Sequence, residues 1–336
     1  MTTNSSQPST SLLSQNRVAL LLTICGLMIF ALTYFASVEV KNSDFTHSLL
    51  VSQALLEHQT VRLDAYKDKV DLAHHFDYNY RIEKVNGHYY YFHSIGTPLL
   101  SLPLVKVANL LGKDMAALED EYALLRFMAA ITCILIFVVI YQICRCYLEV
   151  EPSLVISLVS VLGSSLISTL GIGLWNMNLA VLFIALSLLF VVRYDSGQAN
   201  KISPFWLGFS LFLAYLCRPT SAIPIVIIFA YVFLKHRVVF LKLVGVFSVL
   251  FLLFVGWSWL TYGQVLPNYY LLPVNKSDQP VIFGQALYGH LLSPARGVFI
   301  FSPFFIVVIG GSLWLYDKVI KRPLLWLSIT WFCLQV

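Results

Sequence analysis

The chain has 336 residues, of which 58% are apolar, 15% aromatic and only 12% charged, with a mean hydropathy of +0.77. A water-soluble chain carries roughly 25% charged residues, so lipid is the expected solvent for most of this one, and disordered, collagen-like and small disulfide-bonded classes are excluded. The 22 basic and 17 acidic residues leave a net charge of +5, but the basic ones are scattered between apolar runs, a membrane-orientation pattern and not a nucleic-acid footprint.

Residues 1–17 are rich in Ser, Thr, Gln and Asn and are expected to form a disordered tail. The apolar run over 18–38 is long enough to span and exceeds a signal-peptide core, so it reads as an uncleaved first transmembrane helix. A long polar segment follows, and later apolar runs cover 97–112, 123–144, 153–171, 178–192, 204–217, 219–234, 238–260, 297–316 and 324–336. Residues 18–336 are therefore expected to form one all-α polytopic membrane domain. The last run is short for a span and ends without a flanking charge, so the C-terminus reads as truncated.

Orientation follows from the short loops. If every run spans, Lys235 and Arg237 fall outside and the charge rule fails. If 97–112 lies in the outer interface instead, then Arg17, Arg145, Arg193, Lys201, Lys235, Arg237, Lys318, Lys321 and Arg322 all become cytoplasmic. Thr97 and Pro98 at its start, Pro103 and Lys106 within it and Gly112 at its end favour the second arrangement. The expectation is a multi-pass protein of the plasma (inner) membrane with a cytoplasmic N-terminus. Three polar elements then share the outer face: a first loop over 39–122, the Trp175–Asn178 turn, and a second loop over 261–296.

Within the first loop, Asp44 to His58 has helical spacing, with Phe45, Leu49 and Leu56 on one side and Asp44, His47, Ser48 and Ser52 on another, which predicts an amphipathic helix on the membrane. Tyr80 to Val85 and His88 to Phe92 flank Asn86 and Gly87, the pair that a two-residue type I′ hairpin requires. All six cysteines lie in or beside apolar runs, so no structural disulfide is expected, and the Cys144–Cys146 pair reads as small buried hydrophobes ahead of a metal pattern.

The first loop holds most of the acids and six of the 8 histidines. Asp44 stands out at the start of the interfacial helix with His47 on the same face, and both a functional carboxylate and an N-cap fit that position. Asp71, His74, His75 and Asp77 match no strong ligand spacing, so no metal or other cofactor is expected, although a divalent ion would be compatible with such side chains. Tyr89 belongs to an aromatic run suited either to stacking on a sugar or to anchoring at the interface. Arg218 and Arg296, at outer turns, run against the positive-inside trend; a lipid phosphate suits the guanidinium fork, and snorkelling to headgroups is the alternative.

The stretches SDFTHSLLVSQALLEHQTVRLD, NGHYYYFHSIGTPLLSLPLV, YALLRFMAA, LWNMNLAVLFIAL, LCRPTSAIP and LLSPARGVFIFSP, in that order, resemble the polytopic glycosyltransferases of the GT-C fold, in particular family 39-like and dolichyl-phosphate-mannose-protein mannosyltransferase-like members. The resemblance covers most of residues 40–305. It implies a GT-C-like helical bundle and an inverting transfer of a sugar from a polyprenyl-phosphate donor to an acceptor hydroxyl. Asp44 would be the catalytic base and Arg296 a lipid-phosphate contact, with His47, Tyr89, His93, Arg126 and Arg218 expected among the substrate-binding residues. Many relatives have two adjacent acids where this chain has Asp44 and Phe45, and Lys-Pro-Pro near Thr97 and Pro98, which leaves sugar and acceptor open. The competing expectation is a non-enzymatic lipid or solute transporter, or an inactive scaffold of the same fold.

Overall fold

The computed structural model describes residues 12–35, 43–69, 81–271, 283–294 and 297–314. In chain order these form α1 (Leu12–Tyr34), α2 (Ser48–His58), β1 (Ile82–Val85), β2 (His88–Tyr91), α3 (Gly96–Leu110), α4 (Leu118–Cys144), α5 (Val150–Leu162), α6 (Ser165–Leu170), α7 (Asn176–Asp195), α8 (Pro204–Cys217), α9 (Ala222–Lys235), α10 (Arg237–Tyr262), α11 (Phe283–Leu292), α12 (Val298–Phe301) and α13 (Phe304–Trp314). The protein is mostly helical. Four of its helices, α1, α4, α7 and α10, are long and apolar enough to cross a membrane, and α5, α8 and α9 are shorter apolar helices.

Contacts at the helix ends sort the charges. At one end Arg17 pairs with Glu151 at 3.5 Å, Arg193 donates to the Gln142 side chain at 2.6 Å, Gln198 donates to the Arg145 carbonyl at 3.1 Å, and His236 lies 3.4 Å from Asp195. These contacts gather the start of α1, the α4–α5 and α7–α8 connections and the α9–α10 turn. At the other end Arg126 donates to the Tyr34 carbonyl at 2.8 Å, and the Phe45 and Trp175 rings meet edge to face at 5.2 Å. Tyr90 donates there to the Thr261 carbonyl at 3.2 Å. Arg17, Arg145, Arg193 and the Lys235–Arg237 turn thus share one end, as charge segregation anticipates; Lys318, Lys321 and Arg322 lie outside the described residues.

The α3 helix is placed differently from the four long apolar helices. The helix contains Pro103 and is not among those long and apolar enough to span. It packs instead on α2, where Ser52 donates to the Pro98 carbonyl at 2.8 Å. Gly96 lets it approach α8 closely: a Cβ there would fall 2.6 Å from the Cys217 amide nitrogen. The hairpin forms as predicted, with Ile82 opposite Tyr91 and Val85 opposite His88, and with φ of 51° at Asn86 and 85° at Gly87.

Several boundaries differ from expectation for identifiable reasons. The N-terminal helix begins at Leu12, inside the polar tail. The helix expected from Asp44 begins only at Ser48, because His47 takes a left-handed φ of 72° and Asp44 to His47 form a turn, so Asp44 is not its N-cap. Nor does the first half of α2 turn a polar face outward. Ser48, Ser52 and Gln53 are buried beside Leu49 and Leu50, while Leu56 is 37% exposed. Its polar side chains have protein partners: Gln53 donates to Asp114 and accepts from the Met115 amide, at 2.8 and 2.7 Å.

The first loop also ends earlier than residue 122, since α4 starts at Leu118 with Glu119, Asp120 and Glu121 in its first turn, where acids favour a helix start. The 153–171 run divides at Gly163 and Ser164. Ser153, Ser157, Ser160 and Ser164 each donate to the carbonyl four residues back, at 2.5 to 2.7 Å, a pattern that bends helices, and Ser164 then caps α6. The second loop contains α11, and the 297–316 run is interrupted at Ser302 and Pro303. The final run, 324–336, lies outside the described residues.

Candidate functional site

The end opposite Arg193 collects the polar turns. Ser43 to His47 closes through the Thr46 amide on the Ser43 carbonyl at 3.0 Å and the Ser43 amide on the Thr46 hydroxyl at 3.2 Å. Thr46 also shares a 3.2 Å hydrogen bond with Tyr122 of α4. The fully buried Glu121 carboxyl accepts from the His47 and Leu49 amides, each at 3.0 Å, and so supplies the cap that α2 lacks from its own side chains. Phe45 packs against Tyr122, Trp175 and Gly173. These contacts hold Asp44 at the crown of the turn. Its carbonyl accepts from the Tyr91 hydroxyl, and its half-buried carboxyl group has no hydrogen bond or ion pair with any described residue.

His93 follows the hairpin and sits under the rings of Tyr91 and Tyr269, at 5.4 and 5.2 Å. Ser94 donates to the Cys217 carbonyl at the end of α8, which brings Arg218 to the same place, and Arg218 in turn donates to the Thr220 hydroxyl at 2.9 Å. Burial pushes the His93 pKa down to about 4; Asp44 pulls it upward, and Arg81 and Arg218 push it further down. Asp44, Arg81, His93 and Arg218 therefore occupy one electrostatic neighbourhood, in which the imidazole is neutral at pH 7.

A pH effect follows. His93 titrates near 6.5 when unfolded and about 4 when folded, so between those values the unfolded chain binds more protons and stability falls as pH falls, by roughly 3 kcal/mol over the window. That contribution is read as a difference: in thermal unfolding in detergent from pH 7 to pH 4, the unmodified protein should lose stability relative to His93→Asn, and parallel pH profiles of the two would overturn it.

An apolar cavity of about 290 Å³ lies between the α2–α3 layer and the α8–α10 pair. Leu55, Ile95 and Leu99 line one wall, and Phe212, Leu216 and Phe254 the other. Ile95 and Leu216 of its walls are each two residues along the chain from His93 and Arg218.

Of the residues expected from sequence, Asp44, His93 and Arg218 are brought together. His47 has a buried ring and contributes its amide to Glu121. Tyr89 lies under the Lys84 ammonium at 5.4 Å and its amide donates to Asp64 at 3.2 Å, a hairpin role. Arg126 binds the end of α1 through the Tyr34 carbonyl and ring, at 2.8 and 5.8 Å. Arg296, Asp71, His74, His75 and Asp77 lie outside the described residues, and among those described no group of three or more His, Cys, Asp or Glu is placed to hold a metal. Arg81 and Glu121 were not anticipated, and Tyr91 only as a member of the aromatic run that contains Tyr89. Glu121 carried a signal: it shares the buried face of α4 with Leu125 and Met128, where a lone acid needs a partner.

No family model, curated protein or solved structure matches this chain. The functional reading therefore rests on the residues and their geometry.

Proposed function

We propose that this protein is a GT-C-like membrane glycosyltransferase that moves a sugar from polyprenyl phosphate to an acceptor hydroxyl at the non-cytoplasmic face of the membrane. The observation that carries the reading is an apolar cavity whose wall residues Ile95 and Leu216 lie two positions along the chain from His93 and Arg218, members of a cluster of one carboxyl group, two guanidinium groups and a neutral imidazole. An amphiphile with a hydrocarbon tail and an anionic head fits both halves: the isoprenoid chain in the cavity, the phosphate near Arg81 and Arg218.

The chemistry balances with one carboxylate. Asp44 takes the proton of the acceptor hydroxyl, the acceptor oxygen bonds to the anomeric carbon from the face opposite the phosphate, and the anomeric C–O bond to phosphate breaks with inversion. Polyprenyl phosphate leaves as a stable anion, so the second carboxyl acid that glycosidases use to protonate an alcohol is unnecessary. The guanidinium groups stabilise charge that develops on the phosphate.

A second reading, a lipid or solute transporter, draws on the interrupted α5–α6 helix, since broken helices are common in transporters. One assay separates the two. The full chain in phospholipid vesicles is given polyprenyl-phosphate hexose labelled in the sugar, and free polyprenyl phosphate is measured together with passage of the intact label across the bilayer. Release of polyprenyl phosphate is expected. Passage of the intact molecule without release establishes the transporter, and neither event leaves an inactive scaffold.

A further inference from the structure

The β-hairpin reaches two parts of the protein at once. On one side Tyr90 bonds the Thr261 carbonyl at 3.2 Å and packs on Tyr262 at 4.8 Å, Asn86 donates to the Tyr262 carbonyl at 3.3 Å, and Asn268 donates to Glu83 at 2.6 Å. The end of α10 and the segment after it thereby fix the hairpin in place. On the other side the next residue, Tyr91, is 5% exposed and sends its hydroxyl to the Asp44 carbonyl while its ring covers His93.

Asp44 has few other restraints. Its neighbours in the turn are bonded to one another, to Tyr122 and to Glu121, but among the described residues Asp44 itself is hydrogen-bonded through that carbonyl alone. A residue at the crown of a turn pivots about its two peptide planes, and a hydrogen bond to its carbonyl fixes one of them. We propose that Tyr91 is the positioning residue for Asp44: its hydroxyl sets the orientation of the Asp44 peptide, and with it the direction of the carboxyl group, using the hairpin as a strut braced on α10. Burial and the nearby Glu121 and Asp44 carboxyl groups hold the Tyr91 phenol well above its ordinary pKa, so it stays a donor throughout the physiological range.

The catalytic consequence rests on the glycosyltransferase reading, but the structural one does not, so two readouts are used. Tyr91→Phe keeps the ring and removes only the hydroxyl. Tyr90→Phe is the control: it removes a neighbouring hairpin hydroxyl whose partners are the Thr261 carbonyl and Arg62, not Asp44, and it leaves the Tyr90–Tyr262 ring contact and the Asn86 and Asn268 hydrogen bonds to brace the hairpin. In polyprenyl-phosphate hexose vesicles, Tyr91→Phe should lower kcat about tenfold with KM for the donor unchanged, because small misplacements of a reacting group carry large rate penalties. Tyr90→Phe should stay within twofold of the unmodified protein. Independently of any activity, modification of Asp44 by dicyclohexylcarbodiimide, quantified by peptide mass spectrometry, should change at least threefold in rate in Tyr91→Phe and not in Tyr90→Phe.

An Asp44 labelling rate that is the same in Tyr91→Phe and the unmodified protein overturns the inference, as does an equal change in both variants. If the labelling rate changes only in Tyr91→Phe while the protein releases no polyprenyl phosphate, the positioning contact stands and the glycosyltransferase reading fails.

Discussion

Asp44→Asn is expected to reduce release of polyprenyl phosphate by about 10² to 10⁴-fold, the usual contribution of a general base. The substitution is nearly isosteric and removes only the proton-accepting charge. Because the Asp44 carboxyl group has no hydrogen bond or ion pair among the described residues, the change breaks none of those, and stability should move by no more than about 0.5 kcal/mol. Its carbonyl bond to Tyr91 is a backbone contact and survives the change. The check is turnover at saturating donor, with thermal unfolding of the same preparation in detergent showing that the fold is intact. Turnover equal to that of the unmodified protein removes Asp44 from the mechanism.

Glu121→Ala is expected to act on the fold. The carboxyl oxygens accept from the His47 and Leu49 amides at the start of α2, and the group is fully buried, so its removal strands both donors away from water. Each orphaned buried donor costs about 1 to 3 kcal/mol, and the methylene groups lost add a cavity, which makes a total of roughly 3 to 6 kcal/mol. That is a large part of the 5 to 15 kcal/mol that typically separates folded from unfolded protein. Glu121→Gln keeps one acceptor oxygen but turns an amide NH₂ toward the other donor, and should fall between the two. Thermal unfolding and limited proteolysis within Ser48–His58 would report both; a Glu121→Ala protein as stable as the unmodified one would show that the cap is dispensable.

These two carboxyl groups show where sequence reading succeeds and where it stops. Asp44 was singled out by its place after the first apolar run, and of the two readings left open for it the N-cap fails, because the positive φ at His47 delays the helix and Glu121 caps it from 74 residues away. Nothing local in the stretch from Asp44 to His58 announces a cap on another helix. The same separation hid Arg81 and Tyr91, ordinary members of a polar loop until the hairpin folds back over the turn.

The sequence by itself determined the features that depend on summing local terms. Hydropathy located the apolar helices, Asn86 and Gly87 set the hairpin, and Pro103 with the charge distribution kept α3 from being counted as a crossing, which in turn placed Arg17, Arg145 and Arg193 together. Each is a property of a few consecutive residues or of charge counted along the chain. The tertiary structure alone decided which polar groups meet: Glu121 with the α2 amides, Tyr91 with the Asp44 carbonyl, and Arg81 and Arg218 around His93. The physical reason is that burial makes an unpaired polar group costly without specifying its partner, and the partner is fixed only when packing brings distant segments within hydrogen-bond reach.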